Sequence, residues 1–237
     1  MKEFIIKLIE NEGMSLIDFK FSDYNTCFAK GKFNTYYLFF FLEREQQLLE
    51  LRERSSDLYS AIKENKPNYE ENMDKNTTCI YCLCVDDTTY YETESTGTIS
   101  GLSKKICQVE EDLSYFKKNV LLYTDAMKQY ANENVGQFDN LCNELITEEQ
   151  FQEFRTSSIT NYQYDFLVNL FIKLPFLNFQ KYQIKNQTQY HSLKSLIEKE
   201  CESKNINLKE IKKDMDDLEN TWLVQLENEC RGETNEN

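Results

Sequence analysis

The stretch "YYLFFFL", Tyr36 to Leu42, decides the fold because its side chains are apolar on both faces of an extended strand. A strand inside a sheet is buried on both sides, so this stretch predicts a central strand. Upstream, "SLIDFKF" (15–21) alternates as a half-buried strand does. Between the two, "CFAKG" (27–31) predicts a further strand and "KGKFN" (30–34) predicts a hairpin turn.

Helices are predicted on both sides of these strands. Residues Lys2–Glu10 form an amphipathic helix that Gly13 ends, and a long helix runs from Glu43 to Pro67. A fourth strand, "NTTCIYCLCVDD" (76–87), is rich in β-forming residues. The order α-β-β-β-α-β predicts an α+β fold, with a small, mainly antiparallel sheet and flanking helices at the N-terminus.

The rest of the chain is predicted to be helical. "TTYYETESTGTISG" (88–101) is polar and predicts a loop, and the sequence from Thr147 to Gln150 is a capping box that starts a helix. "NYQYDFLVNLFIKLPFL" (161–177) predicts a helix that Pro175 ends or kinks. We expect four regions: a sheet domain at 1–88, a connector at 89–108, a helical region at 109–230 and a disordered tail at 231–237.

The last predicted helix carries a heptad seam of about two repeats. Its apolar residues are spaced 3, 4, 3 and 4 along the chain: Leu208, Ile211, Met215, Leu218 and Trp222. Such a seam suits a contact with another helix, either within this chain or on a partner.

Composition indicates a soluble, cytoplasmic protein. Only 40% of the 237 residues are hydrophobic, and no stretch approaches the roughly 20 apolar residues of a membrane span. Lys7 interrupts the apolar start, so we expect no signal peptide, and the eight cysteines are then reduced thiols. The net charge of −14 argues against direct binding to nucleic acid phosphates.

Three cysteines on the fourth predicted strand are the best candidates for a metal site: Cys79, Cys82 and Cys84. Zinc needs four ligands, whereas Cys79 points away from the other two and the only histidine, His191, is distant in sequence. We therefore expect buried thiols, with a stand-alone, zinc-structured adaptor protein as an alternative. A single histidine also argues against Ser–His or Cys–His catalysis.

A diverged, metal-dependent nuclease is the second alternative. It would use the pair Asp86-Asp87 at a strand end, together with Glu50, Glu53 and Lys104. Their spacing matches no nuclease motif, and a chain with 41 acidic residues contains such pairs by chance. The sequence has no G-x-x-x-x-G-K-[ST] and no G-x-G-x-x-G, so we expect neither an NTPase nor a bound cofactor.

The stretch "VEEDLSYFKKNVLLYT", Val109 to Thr124, joins an acidic triplet, an aromatic pair, two lysines and an apolar run. We predict a helix from about Asp112, with one face formed by Leu113, Phe116, Val120 and Tyr123. Tyr115 and Lys118 lie off that face. Aromatic residues anchor protein interfaces, so a partner-binding helix is favoured over an active site.

Several segments together resemble a known family. They are "NTYYLFFFLE" (34–43), "LRERSSDLYSAI" (51–62), "MDKNTTCIYCLCVD" (73–86), "QVEEDLSYFKKNVLLYT" (108–124) and "LVNLFIKLPFL" (167–177). In this order the segments are similar to the middle components of ABC-type three-component systems, the Lamassu-like bacterial anti-phage systems. One departure is Leu113, where the family pattern has proline.

The resemblance implies a non-enzymatic subunit that bridges an SMC-like ABC ATPase and an effector such as a nuclease. DNA would then be contacted only through the ATPase. No catalytic residue carries over from the family. The expected partner-binding residues are Tyr115, Lys117, Lys118 and Tyr123, together with the heptad seam.

Overall fold

The structure is a computed structural model, and it describes residues 1–66, 68–94, 101–147, 149–152 and 161–182. The chain divides into two units, Met1–Asn186 and Gln187–Asn237, and every described residue lies in the first. The predicted heptad seam, His191 and the predicted tail lie outside the described residues.

The predicted central strand, Tyr36–Leu42, is the middle strand of a five-stranded sheet with the order β1-β2-β3-β4-β5. All but one of its seven side chains are buried, which requires cover on both faces of the sheet. The five strands are β1 (Ser15–Ile17), β2 (Asn25–Lys30), β3 (Tyr36–Leu42), β4 (Thr77–Cys84) and β5 (Lys117–Tyr123).

The connections between strands determine their directions. Short connections make β1, β2 and β3 antiparallel, with Lys30 opposite Tyr36 at the predicted hairpin. Helical crossovers make β3, β4 and β5 parallel to one another. The crossover helices are α2 (Gln46–Glu53) and α3 (Ser55–Glu64), then α4 (Asp87–Glu94) and α5 (Gly101–Glu110). The predicted α+β class is confirmed, and the sheet is mixed.

Four more α-helices lie entirely within the described residues: α1 (Lys2–Asn11), α6 (Asp125–Glu133), α7 (Phe138–Leu145) and α8 (Tyr162–Lys173). The helices contact one another in two groups, α1 with α6–α8 and α2 with α3–α5. The rings of Phe4 in α1 and Phe166 in α8 lie 5.7 Å apart in the first group. After α8, Phe176 packs on Tyr37 of β3 at a ring distance of 5.0 Å.

Several predicted elements are confirmed. The first helix and the helix before Pro175 both form, and the strand over residues 76–87 is β4. Thr147 Oγ1 accepts a hydrogen bond from the Gln150 main-chain nitrogen at 3.2 Å, which is one of the two hydrogen bonds of the predicted capping box. None of the described helices has the length and hydrophobicity that a membrane span requires.

Other predicted elements are wrong. The helix predicted within Val109–Thr124 is instead the end of α5, a turn and strand β5. The loop predicted at 88–101 contains α4 and the start of α5. The long helix after Glu43 breaks at Arg54 into α2 and α3, and the first strand ends at Ile17.

Candidate functional site

The buried side chain of Lys118 organises the turn between α5 and β5. Its Nζ donates hydrogen bonds to the main-chain carbonyls of Asp112 (3.0 Å), Ser114 (2.7 Å) and Phe116 (3.2 Å). It also lies 3.2 Å from the Asp112 carboxylate. A buried ammonium is tolerated only when its N–H groups have acceptors and its charge has a counter-ion. Here a single turn supplies three carbonyl acceptors and the Asp112 carboxylate.

Asp112 connects this turn to the helical layer. Its carboxylate accepts a hydrogen bond from the Ser114 main-chain nitrogen at 3.0 Å and lies 3.7 Å from Arg52 Nε of α2. Partial burial opposes ionisation of this carboxyl, but the hydrogen bonds from Ser114 and the charge of Lys118 outweigh it and lower the pKa of Asp112. The turn is therefore held by an ionised network.

The same turn presents apolar side chains to solvent. Leu113 is 92% exposed and Tyr115 is 50% exposed, whereas Phe116 between them and β5 is buried. Tyr115 adopts a φ of 63°, a left-handed conformation that is uncommon for a residue with a side chain. Its ring lies 5.3 Å from the ring of Tyr59 in α3. The network around Lys118 thus holds Leu113 and Tyr115 outward in a fixed geometry.

Strand β5 is an edge strand of the sheet, and side chains cover part of its free edge. The Glu110 carboxylate accepts a hydrogen bond from the Val120 main-chain nitrogen at 2.7 Å and lies 2.6 Å from Lys173 Nζ. The Asn119 amide donates to the Lys173 carbonyl at 2.8 Å. These contacts fasten α5 and α8 to the edge and limit its pairing with other strands.

A depression of about 500 Å³ lies beside this edge. Residues of the 112–119 segment line it, with Glu110 from α5 and Ile172 and Lys173 from α8. Ile172 is 63% exposed, so apolar side chains line the depression on the α8 side as well as on the side of Leu113 and Tyr115. An open, partly apolar depression of this kind fits a protein surface better than a reaction centre.

The structure divides the expected partner-binding residues into two groups. Tyr115 and Lys117 are on the surface, where a partner can contact them. Lys118 and Tyr123 are buried, so their side chains stabilise this chain and are not offered to a partner. The sequence carried no signal for Glu110, Asn119 and Lys173, because their roles depend on contacts between distant elements.

The three cysteines of β4 lie in different surroundings. Cys79 and Cys82 are buried, and burial raises the pKa of the Cys79 thiol to about 12. Cys84 is half-buried, with its Sγ 3.5 Å from the Asp125 carboxylate. Where the structure describes the chain, no group of three or more His, Cys, Asp or Glu residues is placed to hold a metal ion. Cys79 and Cys82 pack as small apolar side chains.

Asp86, the first residue of the acidic pair considered for nuclease chemistry, has a structural role. Asp86 caps α4, since its two carboxylate oxygens accept hydrogen bonds from the Thr89 main-chain nitrogen (2.9 Å) and hydroxyl (2.7 Å). The bond from the Thr89 nitrogen is the main cause of the lowered pKa of Asp86. Glu50 instead accepts a hydrogen bond from the Tyr24 hydroxyl at 3.3 Å.

Residues 37–154 match the family model described as ABC-three component (ABC-3C) system Middle Component 1. No curated protein matches the sequence. The matched segment includes β3 apart from Tyr36, all of β4 and β5, and the whole Lys118 turn. The match supports the resemblance to a middle component, and with it a role as an accessory component of such a system.

Proposed function

We propose that this chain is the non-catalytic middle component of an ABC-three-component, Lamassu-like antiviral system. In this proposal it bridges an SMC-like ABC ATPase and an effector subunit, such as a nuclease, in the bacterial cytoplasm. The family match over residues 37–154 is the observation that carries the proposal.

The candidate site supports a role in assembly. A bridging subunit needs fixed, exposed apolar groups, and the Lys118 turn presents Leu113 and Tyr115 in this way. Lys117 adds an exposed charge beside them. The net charge of −14 favours DNA contact through the ATPase rather than through this chain.

A tagged pull-down from the native operon tests the proposal, with mass spectrometry for identity and mass photometry for size. We expect an SMC-like ATPase and a third subunit to purify with the chain. Purified chain alone should not cleave DNA or RNA with Mg²⁺ or Mn²⁺. Recovery of the chain as a lone monomer, with and without DNA, would contradict the bridging role.

A further inference from the structure

Strands β3, β4 and β5 are parallel, so they begin at the same end of the sheet. Tyr36 lies opposite Thr77, and Thr78 lies opposite Lys117. Adjacent strands are about 4.8 Å apart, which brings the three connections that lead into them within roughly 10 Å of one another across the sheet. We call this end the strand-start surface: residues 31–35, 70–76 and 112–117, with Ile172.

Apolar exposure is concentrated on the strand-start surface. Phe33 (96%), Leu113 (92%) and Ile172 (63%) are the most exposed large hydrophobic side chains of the described chain. All three lie on this surface, as does Tyr115. Single exposed hydrophobic residues are common, but a cluster of this kind marks an interaction site.

Unusual backbone geometry is concentrated there as well. Five non-glycine residues within the described ranges have a positive φ, and four of them are on this surface: Phe33, Asn34, Asn72 and Tyr115. A left-handed backbone costs free energy in residues that carry a side chain. At Phe33 this conformation accompanies a ring that is 96% exposed, and at Tyr115 it accompanies a half-exposed ring whose other side contacts Tyr59.

The charges of the surface are arranged so that cations face outward. Lys32, Lys75 and Lys117 are exposed, and none of them forms an ion pair within the part of the chain that the structure describes. Two nearby carboxylates are already engaged, Glu70 by Lys30 and Asp112 by Lys118.

Glu71 and Glu111 are also exposed at this end. Glu70 is exposed as well but is paired with Lys30, so among the described residues three exposed lysines and two exposed glutamates, Glu71 and Glu111, lie at this end without an ion pair. The whole chain, by contrast, has 41 acidic against 27 basic residues.

We infer that the strand-start surface docks a partner protein through an amphipathic segment with apolar anchors and acidic residues between them. Phe33, Leu113, Tyr115 and Ile172 would receive the apolar side chains, and Lys32, Lys75 and Lys117 would pair with the carboxylates. Nucleic acid fits less well, because aliphatic Leu113 and Ile172 cannot stack on bases and three lysines form no groove. This inference deepens the proposed function by naming the surface and the chemistry of the partner.

The test compares two triple variants of the full chain, each with the same change of charge. One reverses the surface lysines: Lys32→Glu, Lys75→Glu and Lys117→Glu. The control reverses exposed cations elsewhere: Lys20→Glu, Arg44→Glu and Lys104→Glu. A second comparison tests the apolar residues. The double variant Phe33→Ser/Leu113→Ser is compared with the control Leu16→Ser, which changes an exposed leucine on β1. Circular dichroism confirms folding of each variant.

Two binding measurements are made on every variant. The first is formation of the operon complex by mass photometry, and the second is fluorescence titration with a synthetic 18-residue amphipathic helix of Leu and Glu. We expect both the surface charge variant and the Phe33/Leu113 variant to bind at least tenfold more weakly, and their controls to match wild type. Binding of wild type should also weaken as salt increases.

The outcomes separate the two proposals. If wild type forms no operon complex, the bridging function fails and the peptide titration alone decides the inference. If wild type assembles but the surface variants bind as well as their controls, the inference is wrong while the bridging function stands. Binding of duplex or single-stranded DNA that the surface variants abolish would identify a nucleic acid site and overturn the inference.

Discussion

Lys117 and Lys118 are neighbours in sequence with opposite environments. Lys117 is exposed, whereas the Lys118 side chain is fully buried among three carbonyl oxygens and the Asp112 carboxylate. Alternation along β5 explains the difference, since successive side chains point to opposite faces of a strand. The sequence led to the expectation that both lysines contact a partner. The burial of Lys118 was missed, because the groups that bind this side chain come from a turn that the sequence pattern did not predict.

Replacing Lys118 with methionine should destabilise the protein strongly. The change keeps the length of the side chain but leaves buried carbonyls and the Asp112 carboxylate without their cation, which costs about 3–5 kcal/mol. Lys117→Met is the matched control and should change the free energy of unfolding by less than about 0.5 kcal/mol. Urea unfolding of both variants measures this. Equal stability of the two would show that the network contributes nothing.

Tyr115 and Phe116 are a second pair of neighbours in sequence that differ in burial. Phe116→Asp places a charge in the core and should unfold the chain. Tyr115→Asp loses mainly the ring contact with Tyr59, about 1 kcal/mol, and should fold but weaken assembly with partners. Thermal melts and the operon pull-down separate the two effects. An unchanged complex with the Tyr115 variant would remove Tyr115 from the interface.

At the scale of elements, strongly patterned segments were predictable from sequence and weakly patterned ones were not. The apolar run of β3 is rich in aromatic residues, which favour strands, and the apolar residues of α1 have helical spacing. Strand β5 is not distinguished in this way, because its short apolar run, "NVLLY" (119–123), also fits one face of a helix. The polar α4 was missed because Asp86, at the end of the predicted strand, is its cap.

The cover on the β5 edge gives a prediction at this scale. Glu110→Ala should leave the Val120 main-chain nitrogen without its acceptor and Lys173 without its partner, at a cost of about 1–3 kcal/mol. Hydrogen exchange at Val120 should accelerate, while exchange in β3 changes only with global stability. Glu111→Ala, at the exposed neighbouring position, is the control. Unchanged exchange at Val120 would mean that the carboxylate does not protect this edge.

At the scale of the molecule, the family match and the folded unit have different boundaries. The match begins inside β3 at residue 37, yet β3 pairs with β2 along its length. It ends at residue 154, before α8 contributes Phe166 and the Lys173 contacts to the core and the edge. The sequence predicted a helix in both outer parts, because α1 and α8 each have an apolar face at helical spacing, but it could not predict which strands each helix contacts.

A fragment of residues 37–154 should therefore fail to fold, because it exposes one edge of β3 and uncovers the core beneath Phe166. A fragment of residues 1–186 keeps the complete first unit and should retain a cooperative melt close to that of the full chain. Circular dichroism and size-exclusion chromatography compare the two fragments. A folded, monomeric 37–154 fragment would show that the matched segment is autonomous.

The contrast between the two adjacent lysines also allows opening of the turn to be measured by chemical modification of the unlabelled chain. Amine-reactive reagents modify Lys117 in the folded protein but reach Lys118 only when the turn opens. The ratio of the two modified amines, read by peptide mass spectrometry, follows opening of the turn with an internal reference one residue away. A partner seated on the turn would protect Lys117 without changing Lys118, so occupancy and unfolding leave different signatures in the same peptide.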